Sequence, residues 1–267
     1  MKAFQLLDDW PCAAVAAAAI GPDGAVSLFG DADRVFELAS VTKLLTAATI
    51  HLGVEEGSIS LDDELDERGA TIADVLSHAG GLAPNGVALD EPGRRRIYSN
   101  GGYELVASSL EAATEMAVND YMHEGLFVPL GMHATTLSGS PAHGAQSTVR
   151  DLVRFITRLS SLLAPQTLEL MVRPYLPELI GVLPGYGRQT PNPWGLGPEI
   201  RGDKSPHWTG VANSRFTWGH FGQSGTFLWV DPEVDVAVVV LTDQPFGDWA
   251  VPLWPAFSDA VRMELTS

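Results

Sequence analysis

Cysteine and lysine are nearly absent from this sequence. Its 267 residues hold one cysteine, Cys12, so neither an internal disulfide nor a cysteine-based zinc site can form. Lysine occurs three times, at Lys2, Lys43 and Lys204, and with 13 arginines the basic residues total 16 against 33 acidic ones. The net charge of −17 argues against nucleic acid, whose phosphates need clustered Lys and Arg, and against an anionic membrane surface. No apolar run approaches the roughly 20 residues of a membrane span. The stretch Ala13–Ile20 lacks the basic start of a secretion signal, since Asp8 and Asp9 precede it and Gly21-Pro22-Asp23-Gly24 follows as a turn. It reads as a buried strand entering a hairpin, with Ala25–Gly30 returning, and a cytoplasmic location is expected.

The composition is 45% hydrophobic and 18% charged, the balance of a packed globular chain. A chain of this length buries roughly three quarters of the surface its unfolded form exposes, so one large domain or two intimately packed ones are expected. Strand-like sequence gathers at the two ends, in Cys12–Ile20, Ala25–Gly30, Thr226–Val230 and Val234–Thr242. The run Val236–Leu241 is apolar on both faces, which predicts a central strand covered on both sides. Helical spacing marks Val41–Glu56, Thr71–Ser77, Gly102–Met116, Thr148–Leu162 and Pro165–Met171, with a closing helix over Asp248–Leu265. Residues 174–218, rich in Pro, Gly and Trp, read as irregular with short strands. The expected fold is α+β: an antiparallel sheet from both termini (residues 1–60 and 205–267), flanked by helices, with a mainly helical region (61–204) inserted. The two parts pack as one unit, and their junction is a natural place for a cleft.

Three short motifs carry the chemistry. Ser40-Val41-Thr42-Lys43 opens a helix, where positions i and i+3 are neighbours, so the hydroxyl and the amine can lie side by side. Serine becomes a good nucleophile only when a neighbouring base accepts its proton, and a lysine serves if burial pushes it toward the neutral form. Arginine could not, because its guanidinium stays protonated. Chance predicts roughly 0.2 Ser-x-x-Lys pairs in a chain of this composition, and the apolar run Leu44–Ala48 argues that Lys43 is buried. The plain alternative makes Ser40 an N-cap and Lys43 a surface residue. Tyr98-Ser99-Asn100, before a Gly101-Gly102 turn, offers a phenol able to move protons and an amide able to hold a substrate or orient the lysine. His220-Phe221-Gly222 is weak by itself, but it precedes the strand Thr226–Val230, where a glycine lets a substrate backbone approach closely.

In this order the three motifs resemble those of the serine β-lactamase and penicillin-binding protein superfamily, in the branch of class C β-lactamases, D-aminopeptidases and β-lactamase-like carboxylesterases. Leu76-Ser77-His78-Ala79-Gly80-Gly81-Leu82 also resembles a signature of that family, taken as structural. The resemblance runs from about Val15 to Asp243 and implies a β-lactamase/transpeptidase-like fold. It implies Ser40 as the nucleophile of an acyl-enzyme, with Lys43 and Tyr98 sharing the acid and base work in a proportion left open. Asn100 would contact the substrate amide or the Lys43 amine, His220 and Gly222 would line the substrate strand, and the backbone N–H groups of Ser40 and Gln223 would form the oxyanion hole.

The departures are informative. His220 stands where true β-lactamases carry lysine, the chain is shorter than a full class C enzyme, and no export signal is read, so cell-wall peptidase and antibiotic-resistance roles are disfavoured. The expectation is a serine hydrolase cleaving a small ester, slightly preferred, or an amide. D-aminopeptidase or weak β-lactamase activity is the alternative among enzymes, and a catalytically idle binding or regulatory module the rival from outside them. No cofactor and no metal are expected: His51, His78, His123, His133, His143 and His207 show no ligand spacing. The absence of Gly-x-Ser-x-Gly argues against an α/β-hydrolase. Arg94-Arg95-Arg96 reads as a solvated basic turn, with attraction of an anionic substrate group as the alternative, and Trp194, Trp208 and Trp218 as packing residues with cleft walls as the alternative.

Overall fold

The computed structural model describes residues 1–267. A short 3₁₀ segment, Ala3–Asp9, leads to β1 (Val15–Ile20) and β2 (Val26–Phe29), the expected hairpin. After β3 (Phe36–Glu37) comes α1 (Thr42–Glu55), then α2 (Ile72–Leu76), α3 (Asn100–Thr114), α4 (Val118–Met122) and α5 (Val128–Leu130). The strands β4 (Thr136–Leu137) and β5 (Ala145–Ser147) join β3 in a small sheet, and α6 (Val149–Arg158) and α7 (Pro165–Val172) complete the helical region. A hairpin of β6 (Gly181–Leu183) and β7 (Gly187–Gln189) precedes β8 (Glu199–Ile200), β9 (Trp218–Gly222), β10 (Thr226–Asp231), β11 (Val236–Thr242) and the closing α8 (Ala250–Leu265). No helix is long and apolar enough to cross a membrane.

The principal sheet has the order β2-β1-β11-β10-β9-β8, antiparallel throughout, so its centre joins the first strand of the chain to the last. Period-two alternation sends Val239 and Leu241 of β11 toward the helical region while Val236, Val238 and Val240 face the other way. On that second face the sheet meets Phe4, Leu7 and Trp10 of the N-terminal segment and Trp254, Phe257 and Val261 of α8. Full burial of such a side chain contributes roughly 1.5–3 kcal/mol, which explains why β11 is apolar at every position from Val236 to Leu241. α8 tolerates its prolines differently: Pro252 sits in the first turn, where its missing N–H has no helical partner, whereas Pro255 lies inside the helix.

Two stretches differ from the sequence expectation. The Gly101-Gly102 pair is not a turn ahead of a helix but the first turn of α3, capped by Ser99, whose hydroxyl accepts the Gly102 N–H at 3.0 Å. Gly101 is required because a Cβ there would sit 2.3 Å from the Gly86 nitrogen, in a loop packed onto the helix start. Residues 118–130, left unassigned by the pattern, form α4 and α5 around a π-helical turn, with Gly125 and Pro129 interrupting the periodicity that would have marked a single helix.

Arg96 corrects a third expectation. Arg94 and Arg95 are exposed, but Arg96 is buried, and its guanidinium donates to the carbonyls of Ser77, Asn192, Tyr175 and Leu176. It joins the segment before Tyr98 to the 175–192 loop. Arg96→Ala leaves several buried carbonyls unpaired and is expected to lower stability by on the order of 3–4 kcal/mol in urea titration, while Arg95→Ala changes it by less than about 0.5.

Candidate active site

Ser40 stands on the 3₁₀ turn Ala39–Val41, one residue pair short of α1, so the helix begins later than the sequence pattern places it. Its hydroxyl caps nothing, since the α1 N-cap position is Val41 and makes no side-chain cap bond. The preceding Ala39 has φ +44°, a strained left-handed conformation for a residue with a Cβ. Packing holds it there. The Thr226 hydroxyl donates to the Leu38 carbonyl at 2.9 Å, and Ser224 donates to the Glu37 carbonyl at 2.7 Å. Gly222, expected to line the substrate strand, instead presses on this turn: a Cβ would lie 2.3 Å from the Leu38 oxygen and 3.1 Å from the Ala39 Cβ. Its place is behind Ser40, because only a residue without a side chain lets β9 come this near.

α1 is buried all round, from Thr42 through Gly53, which explains a lysine with no access to water. The Lys43 Nζ lies 3.4 Å from Ser40 Oγ, 2.7 Å from Asn100 Oδ1 and 2.8 Å from the Ala142 carbonyl. Burial pushes its pKa well below the ordinary lysine value, against a smaller opposing pull from Glu104. A neutral amine has two N–H bonds and one lone pair. In that form the two carbonyl acceptors would take the N–H groups and leave the lone pair for the Ser40 hydroxyl. The backbone of Ala142 was beyond the reach of motif reading, because it arrives on the strap between β4 and β5, where Thr46 also donates to the Pro141 carbonyl at 2.6 Å.

Tyr98 lies over the same amine, with Nζ 4.7 Å from its ring centroid. Burial raises its pKa above the usual phenol value, so the group is a neutral O–H at ordinary pH; hydrogen bonding with Ser40 is a smaller, opposing effect. His220, on β9, is 2% exposed. Its Nδ1 meets the Phe221 carbonyl at 2.7 Å and its Nε2 is 3.5 Å from the Tyr98 hydroxyl. Burial and the nearby Lys43 depress its pKa to about 3. His78, taken from the sequence as purely structural, accepts the Ser99 N–H at 3.2 Å through Nδ1 and lies 4.5 Å from the Tyr98 ring, centroid to centroid. It holds the corner that aims the phenol.

These groups open into a pocket of about 90 Å³ lined by Ser40, Tyr98, Asn100 and His220 and walled by Trp194 and Phe221. Of the three tryptophans only Trp194 borders it; Trp208 is buried behind, and Trp218 borders a separate hollow beside α7. Gln223 lies on the rim, and neither its backbone N–H nor that of Ser40 donates to a protein acceptor. Glu199 is the lining residue that motif reading missed. Its carboxylate receives Lys204 at 2.6 Å, His207 at 2.9 Å and the Trp208 indole at 2.6 Å. Lys204 is thus a second buried lysine, tied to a carboxylate as Lys43 is not.

Comparison with known proteins agrees with this geometry. A family model described as Beta-lactamase matches residues 13–258. The crystal structure of a β-lactamase from Mycobacterium bovis superposes with a TM-score of 0.97 at 49% identity, covering 99% of this chain and 100% of that one. The D-amino acid amidase of Ochrobactrum anthropi SV3 shares the fold at 19% identity, with a TM-score of 0.78 over 98% of each chain. Penicillin-binding protein 4* of Bacillus subtilis is 31% identical in an alignment 137 residues long that covers 39% of this chain; the chain spans only 30% of that relative's length. A family match across nearly the whole length, together with a 49% identical structure of the same fold, settles the kinship: this chain belongs to the β-lactamase family.

Proposed function

We propose that the protein is a serine hydrolase that cleaves a small ester or amide through an acyl-enzyme on Ser40. The observation that carries this reading is the Lys43 amine, buried, without a carboxylate partner, and with both N–H bonds committed to carbonyls so that its lone pair serves Ser40. Ser40 Oγ attacks the carbonyl carbon while its proton passes to Lys43. The oxyanion collects the unpaired N–H groups of Ser40 and Gln223, an interaction whose loss typically costs on the order of 3–4 kcal/mol of barrier. Tyr98, held neutral, gives its proton to the departing alkoxide or amine, and the Lys43 ammonium, beside its ring, restores it. A water molecule then attacks the acyl carbon, its proton follows the same path, and Ser40 is released with its hydrogen restored.

Asn100 orients Lys43 through Oδ1, which leaves its NH₂ group for the substrate. Esters are favoured over amides because an alkoxide leaves more readily than an amine and a pocket this narrow offers little binding energy to distort an amide. The test is covalent trapping. Treatment with a fluorophosphonate should add one probe mass to the peptide bearing Ser40 and none to Ser40→Ala, and p-nitrophenyl esters should be hydrolysed faster than nitrocefin or D-amino acid amides. A probe found on another residue, or none bound at all, would overturn the assignment.

A further inference from the structure

The positive charges around the pocket are all spent. Lys204 Nζ has three N–H bonds, and they go to Glu199 Oε1 at 2.6 Å, the Ile200 carbonyl at 2.6 Å and the Pro193 carbonyl at 2.9 Å. The Arg96 guanidinium is committed to backbone carbonyls, and the Lys43 amine to Asn100 and Ala142. None of these three side chains lines the pocket, and no other lysine or arginine does. The one charged residue on the lining is Glu199.

His220 adds a second feature. The Phe221 carbonyl can only accept, so the ring proton sits on Nδ1, and Nε2, facing the Tyr98 hydroxyl, carries a lone pair. The wall formed by β8 and β9 therefore presents a hydrogen-bond acceptor and a carboxylate where a cation would be needed to hold an anion. The donors left over, the Asn100 and Gln223 NH₂ groups, the Ser40 and Gln223 backbone N–H groups and the unpartnered Trp194 indole N–H, are uncharged. They can hold a carbonyl or ether oxygen but cannot offset a full negative charge taken out of water.

We infer that this pocket excludes substrates bearing a carboxylate near the scissile bond and accepts uncharged or cationic ones, with His220 and Glu199 as the specificity-determining residues. The inference rests on the reading of Ser40 as the nucleophile and narrows its substrate class. An entering carboxylate would lose its hydration, meet the Nε2 lone pair and lie near Glu199 with no counter-ion. Protonating His220 to supply one is disfavoured at neutral pH, where burial keeps the ring uncharged. His207 offers no escape either: its Nδ1 accepts the Thr209 N–H, so its Nε2–H is already given to Glu199.

The experiment compares wild-type kcat/KM at pH 7.5 for three p-nitrophenyl esters of similar length: butyrate, hemisuccinate and 4-aminobutyrate. Measurement in 1 M NaCl separates the pocket from the −17 net charge, because the Debye length there is about 3 Å and long-range repulsion is screened. The hemisuccinate should fall more than fivefold below the butyrate in 1 M salt, with the 4-aminobutyrate at or above it. Discrimination smaller than fivefold in high salt overturns the inference. His220→Lys should raise the hemisuccinate-to-butyrate ratio at least threefold, a ratio that cancels any general loss of activity; an unchanged ratio in the folded variant removes His220 from the account. If that variant does not fold, the wild-type comparison still decides. Failure of the parent reading looks different: no ester would show turnover that Ser40→Ala abolishes.

Discussion

Lys43→Met is expected to lower kcat/KM for ester hydrolysis by on the order of 10⁴-fold, with Ser40→Ala and the double variant showing about the same loss. The losses should not add, because hydroxyl and amine act as one unit: without Lys43 the serine keeps its proton, and without Ser40 the base has nothing to activate. Methionine fills a similar volume and cannot accept the proton. A double variant tenfold or more below either single one would show that the two residues act separately. Stability supplies an independent readout. The unfolded chain carries Lys43 protonated up to about pH 10.5, whereas burial holds the folded amine's pKa well below that value. Between those limits the unfolded state binds one more proton at this site, so stability rises with pH, with a slope of at most about 1.4 kcal/mol per pH unit. Urea titrations at pH 7, 8 and 9 should show wild type gaining on Lys43→Met across the series. Parallel curves would mean that the folded amine is charged.

Tyr98→Phe is expected to lower kcat/KM by about 10²–10³-fold for alkyl esters and amides, and by less than about tenfold for p-nitrophenyl esters. In the proposed mechanism the phenol protonates a leaving group, and p-nitrophenolate leaves without help. Phenylalanine keeps the ring that faces Lys43 at 4.7 Å, so packing is retained. In wild type, activity should rise with pH as Lys43 loses its proton and then stay level to about pH 10, since burial raises the Tyr98 pKa above the ordinary phenol value. A tyrosinate acting as the base would invert this, with activity still climbing through the alkaline range. Equal losses on both classes of ester would remove Tyr98 from the leaving-group step.

The chemistry was legible in the sequence where it depended on neighbours along the chain. Ser40 and Lys43 are close because three residues make about one helical turn, even though Ser40 turned out to lie on a 3₁₀ turn before the helix. The strands Thr226–Asp231 and Val236–Thr242 announced themselves by β-branched runs and a turn between them. Illegible were the features set by contacts between distant segments. Gly222 packs against the Ser40 turn because Leu38 and Ala39 arrive against it from the other end of the chain. Arg96 looked like one of three solvated arginines, and nothing local distinguished it from Arg95. Glu199 and Lys204 stand in an irregular stretch whose composition suggests loops, not a buried ion pair.

The sequence by itself carried the resemblance to the family, the order of the three motifs, and the hydroxyl, amine and phenol proposed to react, because each is a matter of residue type and local spacing. Only the tertiary structure shifts their pKa values and sets which charged groups line the pocket. The Lys43 pKa is pushed well below the ordinary lysine value because Asn100 and Ala142, 57 and 99 residues away, close over the amine without an ion-paired carboxylate. Lys204, an identical side chain, is held near a pKa of about 8 by the balance of the same burial against Glu199. The free energy of a charge depends on what replaces its water, and that is set by segments the fold brings together.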